Sequence, residues 1–387
     1  MTEHQIAFDS HFATKGGLFV PAFKDDNLNE YFKWLLIEFS WQKRNYGFSG
    51  EEPVNPPFVN TEFINALSLN AYAGAKDGNY FIGINAATVI LVTALFNRML
   101  ANPNILTSVG DPLEEEPGLK VFNPEITHFD QLYLSSEEIL IFPKNEVRRK
   151  FAFLLARTAL NFLHNHEYAH IILGHVDYSH AERGVFELAE SEQNIGMNNL
   201  DVQTLELDAD IMATYMGLKF INFANLSNAN LDSNERSFYT DWQNGTFNFS
   251  FAVYSLFRLF GFKNHSTSEL LNFDHPPEGV RQVNIFNTIL KGYTDAEKYQ
   301  QVPEICFLAA KQVEFAFQEM AEKVMSNNAI KFAFNYDVLV HTNLITNNWN
   351  NLIEKLKKYC FVPLKPYVER DLIDVERFRN FDADLLY

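Results

Sequence analysis

His166-Glu167-Tyr168-Ala169-His170 is the stretch on which the reading of this 387-residue chain turns. It spells HExxH inside a long apolar helical pattern over residues 146–173 that opens after Pro143 and closes at Gly174. Residues four apart on a helix share a face about 5–6 Å apart, so both imidazoles reach one metal ion. Glu167 then projects beside that ion, where it can take a proton from a water. A catalytic zinc needs three protein ligands and one open position, and the pentapeptide supplies two.

The third is offered by a second helical pattern over residues 202–223, which Asp201 can cap. Within it, Glu206-Leu207-Asp208-Ala209-Asp210 places Glu206 as a ligand. Asp210, one turn later on the same face, can accept a hydrogen bond from a ligand histidine and hold its tautomer. The plain alternative is an acidic, solvated helix face. Ala209 and Met212 argue for a buried flank instead, where unpaired carboxylates are costly.

The neighbouring residues have plainer readings. Glu167 can pair with Arg157, although their spacing is not the three or four that favours pairing. His164 faces away from His166 as an ordinary histidine, and His175 sits where a helix C-terminus favours a cation. Further on, Phe273-Asp274-His275-Pro276-Pro277-Glu278-Gly279-Val280-Arg281 fixes a histidine ahead of a helix. His275 can donate to a developing oxyanion, and Arg281 can bind a carboxylate near the zinc site. A Pro-started helix capped by Asp274 explains the same residues equally well.

Composition narrows the class. A hydrophobic fraction of 47% and 37 Phe give a packed globular protein rather than disorder. A formal net charge of −18 argues against nucleic acid and anionic membrane surfaces, and the basic runs at 148–150 and 355–358 are too short to offset it. Two distant cysteines, Cys306 and Cys360, exclude a disulfide framework and a cysteine zinc site. The start MTEHQIAFDSHF does not read as a secretory signal. The most apolar segment, residues 81–100, contains Asn85, Thr88, Thr93, Asn97 and Arg98, which argues against a membrane span. The expected location is cytoplasmic.

Residues 31–39 read as an aromatic helix, followed by a loop at 49–57. Residues 66–73 and 80–84 read as two strands of a hairpin across Asp77-Gly78-Asn79, and 88–100 as a helix ended by Asn102-Pro103. The acidic stretch 110–118 reads as a solvated loop, 177–199 as a polar connection and 227–245 as loop. Helices return over 249–260 and 278–290, and Pro303 can open another. Ile305, Ala309, Val313 and Phe317 then recur every four residues as a core stripe.

Several of these motifs fit one pattern. His166-Glu167-x-x-His170 with Gly174-His175 resembles the HExxHxxxGH helix of gluzincin peptidases, and Glu206-x-x-Ala209-Asp210 resembles their second ligand helix. Asn70-Ala71-Tyr72-Ala73 resembles the NAxA strand of the HtpX and CAAX-protease type, and His275-Pro276-Pro277 with Arg281 their HPxxxxR segment. The resemblance covers residues 65–290. The membrane helices of HtpX-type enzymes are missing, so the chain looks more like soluble relatives such as Lit-type phage-exclusion peptidases. The ImmA/IrrE group shares HExxH and a later acidic ligand but not the Asn70 or His275 segments.

What the resemblance implies is an α+β, zincin-like metallopeptidase fold. A twisted sheet lies over the HExxH helix, with a catalytic domain over 1–295 and a helical C-terminal extension over 296–387. It implies Zn2+ on His166, His170 and Glu206, with Glu167 as general base and Asp210 and Arg281 behind the ligands. His275 is the expected oxyanion donor, with Tyr168 and Tyr178 as alternatives. The strand at 70–73 is expected to border the cleft and receive an extended protein or peptide substrate as an added strand. The expected function is zinc-dependent endopeptidase activity on an intracellular protein; the alternative is a metal-stabilised regulatory or sensor protein with little or no turnover.

Overall fold

Apolar residues on every side of a helix demand burial on every side, and residues 81–100 receive it. The computed structural model describes residues 1–23, 26–45, 57–116, 141–184, 187–189, 199–226, 238–239, 241–260, 267–273, 275–320, 334–365 and 372–373. In order they form α1 (Glu3–His11), α2 (Asp26–Asn45), β1 (Val59–Ile64), β2 (Ala71–Lys76), β3 (Asn79–Asn85), α3 (Ala86–Leu100), α4 (Glu146–Ile172), α5 (His175–Arg183), β4 (Glu187–Ala189), α6 (Asn199–Leu226), α7 (Trp242–Phe260), α8 (Glu278–Gly292), α9 (Ala296–Met320) and α10 (Tyr336–Leu356). All of α3 is buried, packed against α4. That is the resting place of a helix apolar all round in a globular core. Among the described residues, no helix is long and apolar enough to cross a membrane.

The class is α+β, mostly helical with one mixed four-stranded sheet in the order β1-β3-β2-β4. β2 and β3 form the expected antiparallel hairpin, turned by Asp77 and Gly78, both at positive φ. β1 joins β3 in parallel, and β4 pairs antiparallel with β2. The hairpin's first strand starts at Ala71, not 66. Asn70 is a corner rather than a strand residue: it is buried, its backbone nitrogen donates to Thr88 Oγ1 (2.9 Å), and Thr88 Oγ1 donates back to its carbonyl. This exchange ties the start of β2 to the first turn of α3.

α4 lies at the centre, packed on β2, β3, α3, α6 and α7. Its start is set by Asn145, whose side chain accepts from Val147 N and Arg148 N. The acidic stretch before it is not wholly solvated. Glu115 is buried and accepts from the backbone nitrogens of Lys144 and Asn145, while residues 117 and 118 lie outside the described residues. Arg148 is fully buried and donates to five carbonyls, those of Leu100, Asn102, Ile105, Leu106 and Val109. The basic triplet 148–150, read from sequence only as too short to offset the net charge, thus contains the anchor for the loop after α3.

Gly174 separates α4 from α5 at φ +80, and a Cβ there would stand 2.7 Å from the backbone carbon of Tyr359. The close approach is functional for packing, because Phe361 N donates to Ile172 O and docks the chain after α10 on the end of α4. Left-handed backbone costs a non-glycine residue about 1–2 kcal/mol before any overlap. Gly174→Ala should therefore lower stability by at least about 2 kcal/mol, read as a shift in urea midpoint. A change within about 0.5 kcal/mol would contradict this packing.

Other boundaries shift for identifiable reasons. The polar stretch 177–199 holds α5 and β4, whose short lengths leave no periodicity to read; residues 185–186 and 190–198 lie outside the described residues. Asp201 sits inside the first turn of α6 and accepts from Asn348 rather than capping. α7 begins at Trp242 inside the segment read as loop, with Asp241 accepting from Asn244 N. Pro303 lies inside α9, which opens seven residues earlier, where Asp295 accepts from Glu297 N and Lys298 N. Three of the four residues of the α9 stripe, Ala309, Val313 and Phe317, are buried, while Ile305 is half-buried; the helix lies on α7, and α10 lies on α6. The 49–56 loop and Asp274 lie outside the described residues.

β4 is held from the other side by α1. His11 stacks on Phe81 at 4.7 Å and lies 3.5 Å from Glu187. Burial, with nearby Lys76 adding to it, pushes the His11 pKa down to about 4. Its unfolded value is near 6.5, so the unfolded chain takes the proton first. The stability His11 contributes is complete above pH 6.5 and is lost as pH falls towards 4. His11→Gln should flatten this part of the pH–stability curve in urea melts; an unchanged slope would contradict the assignment.

Candidate metal centre

α4 and α6 pack face to face, and this contact assembles the candidate ligands. His166 and His170 leave α4 on one face, and Glu206 meets them from α6. All three are buried at 1% exposure. His166 Nε2 lies 3.0 Å from His170 Nε2 and 3.3 Å from Glu206 Oε2, and His170 Nε2 lies 3.5 Å from Glu206 Oε1. Ligands held tetrahedrally about 2.0–2.1 Å from one ion stand about 3.3–3.4 Å apart, so the spacing fits a shared cation. Chemistry agrees with geometry: these are the atoms of the one His/His/Glu group able to hold a metal among the described residues.

Two electrostatic observations support the fit. Glu206 Oε2 is buried and accepts no hydrogen bond, a state that costs about 1–3 kcal/mol and that a cation relieves. Burial opposes ionisation of Glu206, but His275, His170 and His166 outweigh it and hold the carboxyl well below its ordinary range. Burial likewise pushes the His170 pKa down to about 4 against the pull of Glu206, with His166 and His175 lowering it further. At neutral pH the site therefore presents an anionic carboxylate and a neutral imidazole, the forms a metal ion binds.

The acidic-face reading of α6 fails, because Glu206, Asp208 and Asp210 are all at most 8% exposed. Asp210 Oδ1 lies 2.9 Å from His166 Nδ1, within reach of the hydrogen bond expected of it but not aligned as one. Arg281 completes the arrangement from α8, donating from Nε to Asp210 Oδ2 and from its terminal nitrogen to Oδ1, both at 2.8 Å. The carboxylate that Arg281 was expected to bind is thus Asp210. Arg157 holds Glu38 at 2.8 Å, and it lies about 15 Å before Glu167 along α4, beyond the reach of the alternative pairing. Glu167 is 1% exposed and leaves α4 about 60° round from His170.

His275 is brought to the site. Its Nε2 lies 3.6 Å from Glu206 Oε1 and 2.9 Å from the carbonyl of Ala189 in β4. Tyr168 and Tyr178 are directed elsewhere: Tyr168 packs in the main core beside His164, and Tyr178 packs with Val202, Leu205 and Leu352. His164 is a core residue stacked on Phe39 at 4.4 Å.

Two features were missed. His175, read as a partner of the helix C-terminus, is a fully buried imidazole whose Nδ1 lies 3.0 Å from His170 Nδ1. Its Nε2 lies 3.3 Å from Asp208 Oδ2. The signal was the Gly-His pair itself: a left-handed glycine turns the chain so that the next side chain points back at the helix it just left. The second is β4, which occupies the edge of β2 at Tyr72, Ala73 and Gly74, where an added substrate strand was expected. A three-residue strand carries no periodic signature. A cavity of about 480 Å³ between α6 and the chain after α10 meets this network at Asp208, and His166, His170 and Glu206 are not among its walls.

No family model matches the chain, and no similar protein was found among curated proteins or solved structures.

Proposed function

We propose that the chain is a zinc-dependent endopeptidase of zincin-like fold acting on an intracellular protein or peptide. The observation that carries this reading is the buried His166–His170–Glu206 cluster with Glu167 on the same helix. Two imidazoles and one carboxylate suit zinc among the common ions, and three protein ligands leave a fourth position for water. Bound there, zinc would supply Lewis acidity, lowering the pKa of a water to about 7 and polarising a carbonyl. Glu167 takes the proton of the attacking water and delivers it to the leaving amine. Asp210, its charge balanced by Arg281, holds the proton on His166 Nδ1 and so leaves Nε2 free to bind. His275 donates to the oxyanion once its ring leaves the Ala189 carbonyl.

A second reading, a metal-stabilised regulatory protein with little or no turnover, is favoured by one observation. β4 already fills the β2 edge beside the site. Incubating zinc-loaded protein with a cell lysate, beside Glu167→Gln, tests both. New protein N-termini made only by the wild type support the peptidase. No difference between the two samples, with zinc present at one per chain, favours the regulatory reading.

A further inference from the structure

His170 faces the ligand cluster through Nε2, and its other ring nitrogen faces His175. The Nδ1 atoms of the two rings are 3.0 Å apart, so one proton lies between them. Which ring owns it follows from the ligand role. A neutral imidazole that binds through Nε2 keeps its proton on Nδ1, so His170 donates and His175 Nδ1 accepts. A neutral His175 must then carry its own proton on Nε2, which lies 3.3 Å from Asp208 Oδ2. The row runs from the ligand cluster through His170 to His175 and reaches the Asp208 carboxylate, whose Oδ2 stands close to His175 Nε2 without the alignment of a hydrogen bond. His166 is backed differently, by Asp210 and Arg281.

We infer that His175, backed by Asp208, is a positioning residue for the metal: it fixes the tautomer and ring plane of His170 and thereby sets metal affinity. The inference rests on the metal-site reading above and adds to it two residues that touch neither the cation nor a substrate. Three observations converge on it. His175 is fully buried, and its ring is also packed edge-on against Trp349 with centroids 6.4 Å apart. Gly174, at φ +80, turns the chain between the two histidines. Asp208 comes from the same helix as Glu206, so packing α6 on α4 delivers the third ligand and the end of the row together.

Side-chain shape provides the test. The amide oxygen of Asn falls close to the place of His Nδ1, and the amide of Gln reaches the place of Nε2. His175→Asn therefore keeps an acceptor for His170, whereas His175→Gln keeps only the contact with Asp208 and His175→Ala keeps neither. Zinc affinity is measured on full-length protein by competition with a chromophoric chelator, and melting of each metal-free variant is recorded alongside. His175→Ala and His175→Gln should weaken zinc binding about 10–100-fold, the usual effect of losing a partner behind a ligand histidine. His175→Asn should stay within a few-fold of wild type although its metal-free melting falls as much as that of His175→Gln. Affinity that merely tracks melting, or His175→Ala binding zinc as tightly as wild type, overturns the inference while leaving the metal site intact.

Should the variants not fold, nitrogen-15 spectra of histidine-labelled, zinc-loaded wild type decide the matter. They should show His175 protonated on Nε2 and bare on Nδ1; the opposite tautomer overturns the inference. Wild type that binds no zinc overturns the metal-site reading itself, and this inference with it.

Discussion

Glu167→Gln is expected to lower the rate of peptide cleavage by at least about 10²–10⁴-fold, the usual worth of a positioned general base, while zinc stays bound at one per chain. The change swaps one oxygen for an amide nitrogen and keeps the volume of a side chain that is 1% exposed. The residues able to hold a metal are His166, His170 and Glu206, so removing the Glu167 charge leaves those three protein atoms in place. The loss should fall on kcat, because the proton is in flight only in the transition state. Steady-state cleavage of a peptide spanning the mapped site, with metal content measured on the same samples, checks it. Turnover within a few-fold of wild type would rule out Glu167 as the base.

Arg281→Met is expected to cost about 3–5 kcal/mol of stability in urea melts of the metal-free protein. The guanidinium and the Asp210 carboxylate are both at most 4% exposed and joined by two hydrogen bonds of 2.8 Å. Breaking a buried pair by removing one partner strands the other charge in a medium that solvates it poorly. His166 Nδ1 also meets that carboxylate, so zinc affinity should fall as well. The double change Arg281→Met with Asp210→Leu removes both charges. It should recover much of the stability without recovering zinc affinity, since His166 stays unsupported. If the single variant loses less than about 1 kcal/mol, the pair is not the buried support described here.

The clustering of His166, His170 and Glu206 was legible because helical spacing is a local rule. His166 and His170 are one turn apart on α4, and Glu206 and Asp210 one turn apart on α6. Only their meeting across the helix contact needed three dimensions. Arg281 was legible as a cation in search of a carboxylate, and the fold identified that carboxylate as Asp210. What escaped was non-periodic. β1 shows no alternation of buried and exposed residues, and the three-residue β4 takes its place by pairing with a strand more than a hundred residues earlier, a contact with no sequence signature. The contact of His175 with His170 escaped because a histidine at a helix end and one turned back onto the helix look alike beside a glycine. Pro303 was misread as a helix start because Asp295, the residue that opens α9, is an ordinary turn residue until its hydrogen bonds are seen.

The central claim is that His166, His170 and Glu206 together hold one zinc with a position left open. Zinc K-edge X-ray absorption on stoichiometrically loaded wild type, beside Glu206→Ala, measures this most directly. The account predicts one zinc per chain in a four-coordinate shell of two imidazole nitrogens and two oxygens at about 2.0–2.2 Å. One oxygen should be exchangeable for an added anion, and Glu206→Ala should lose the metal or change the shell. A chain that binds no stoichiometric zinc, or one whose zinc shell is the same with and without Glu206, would contradict it.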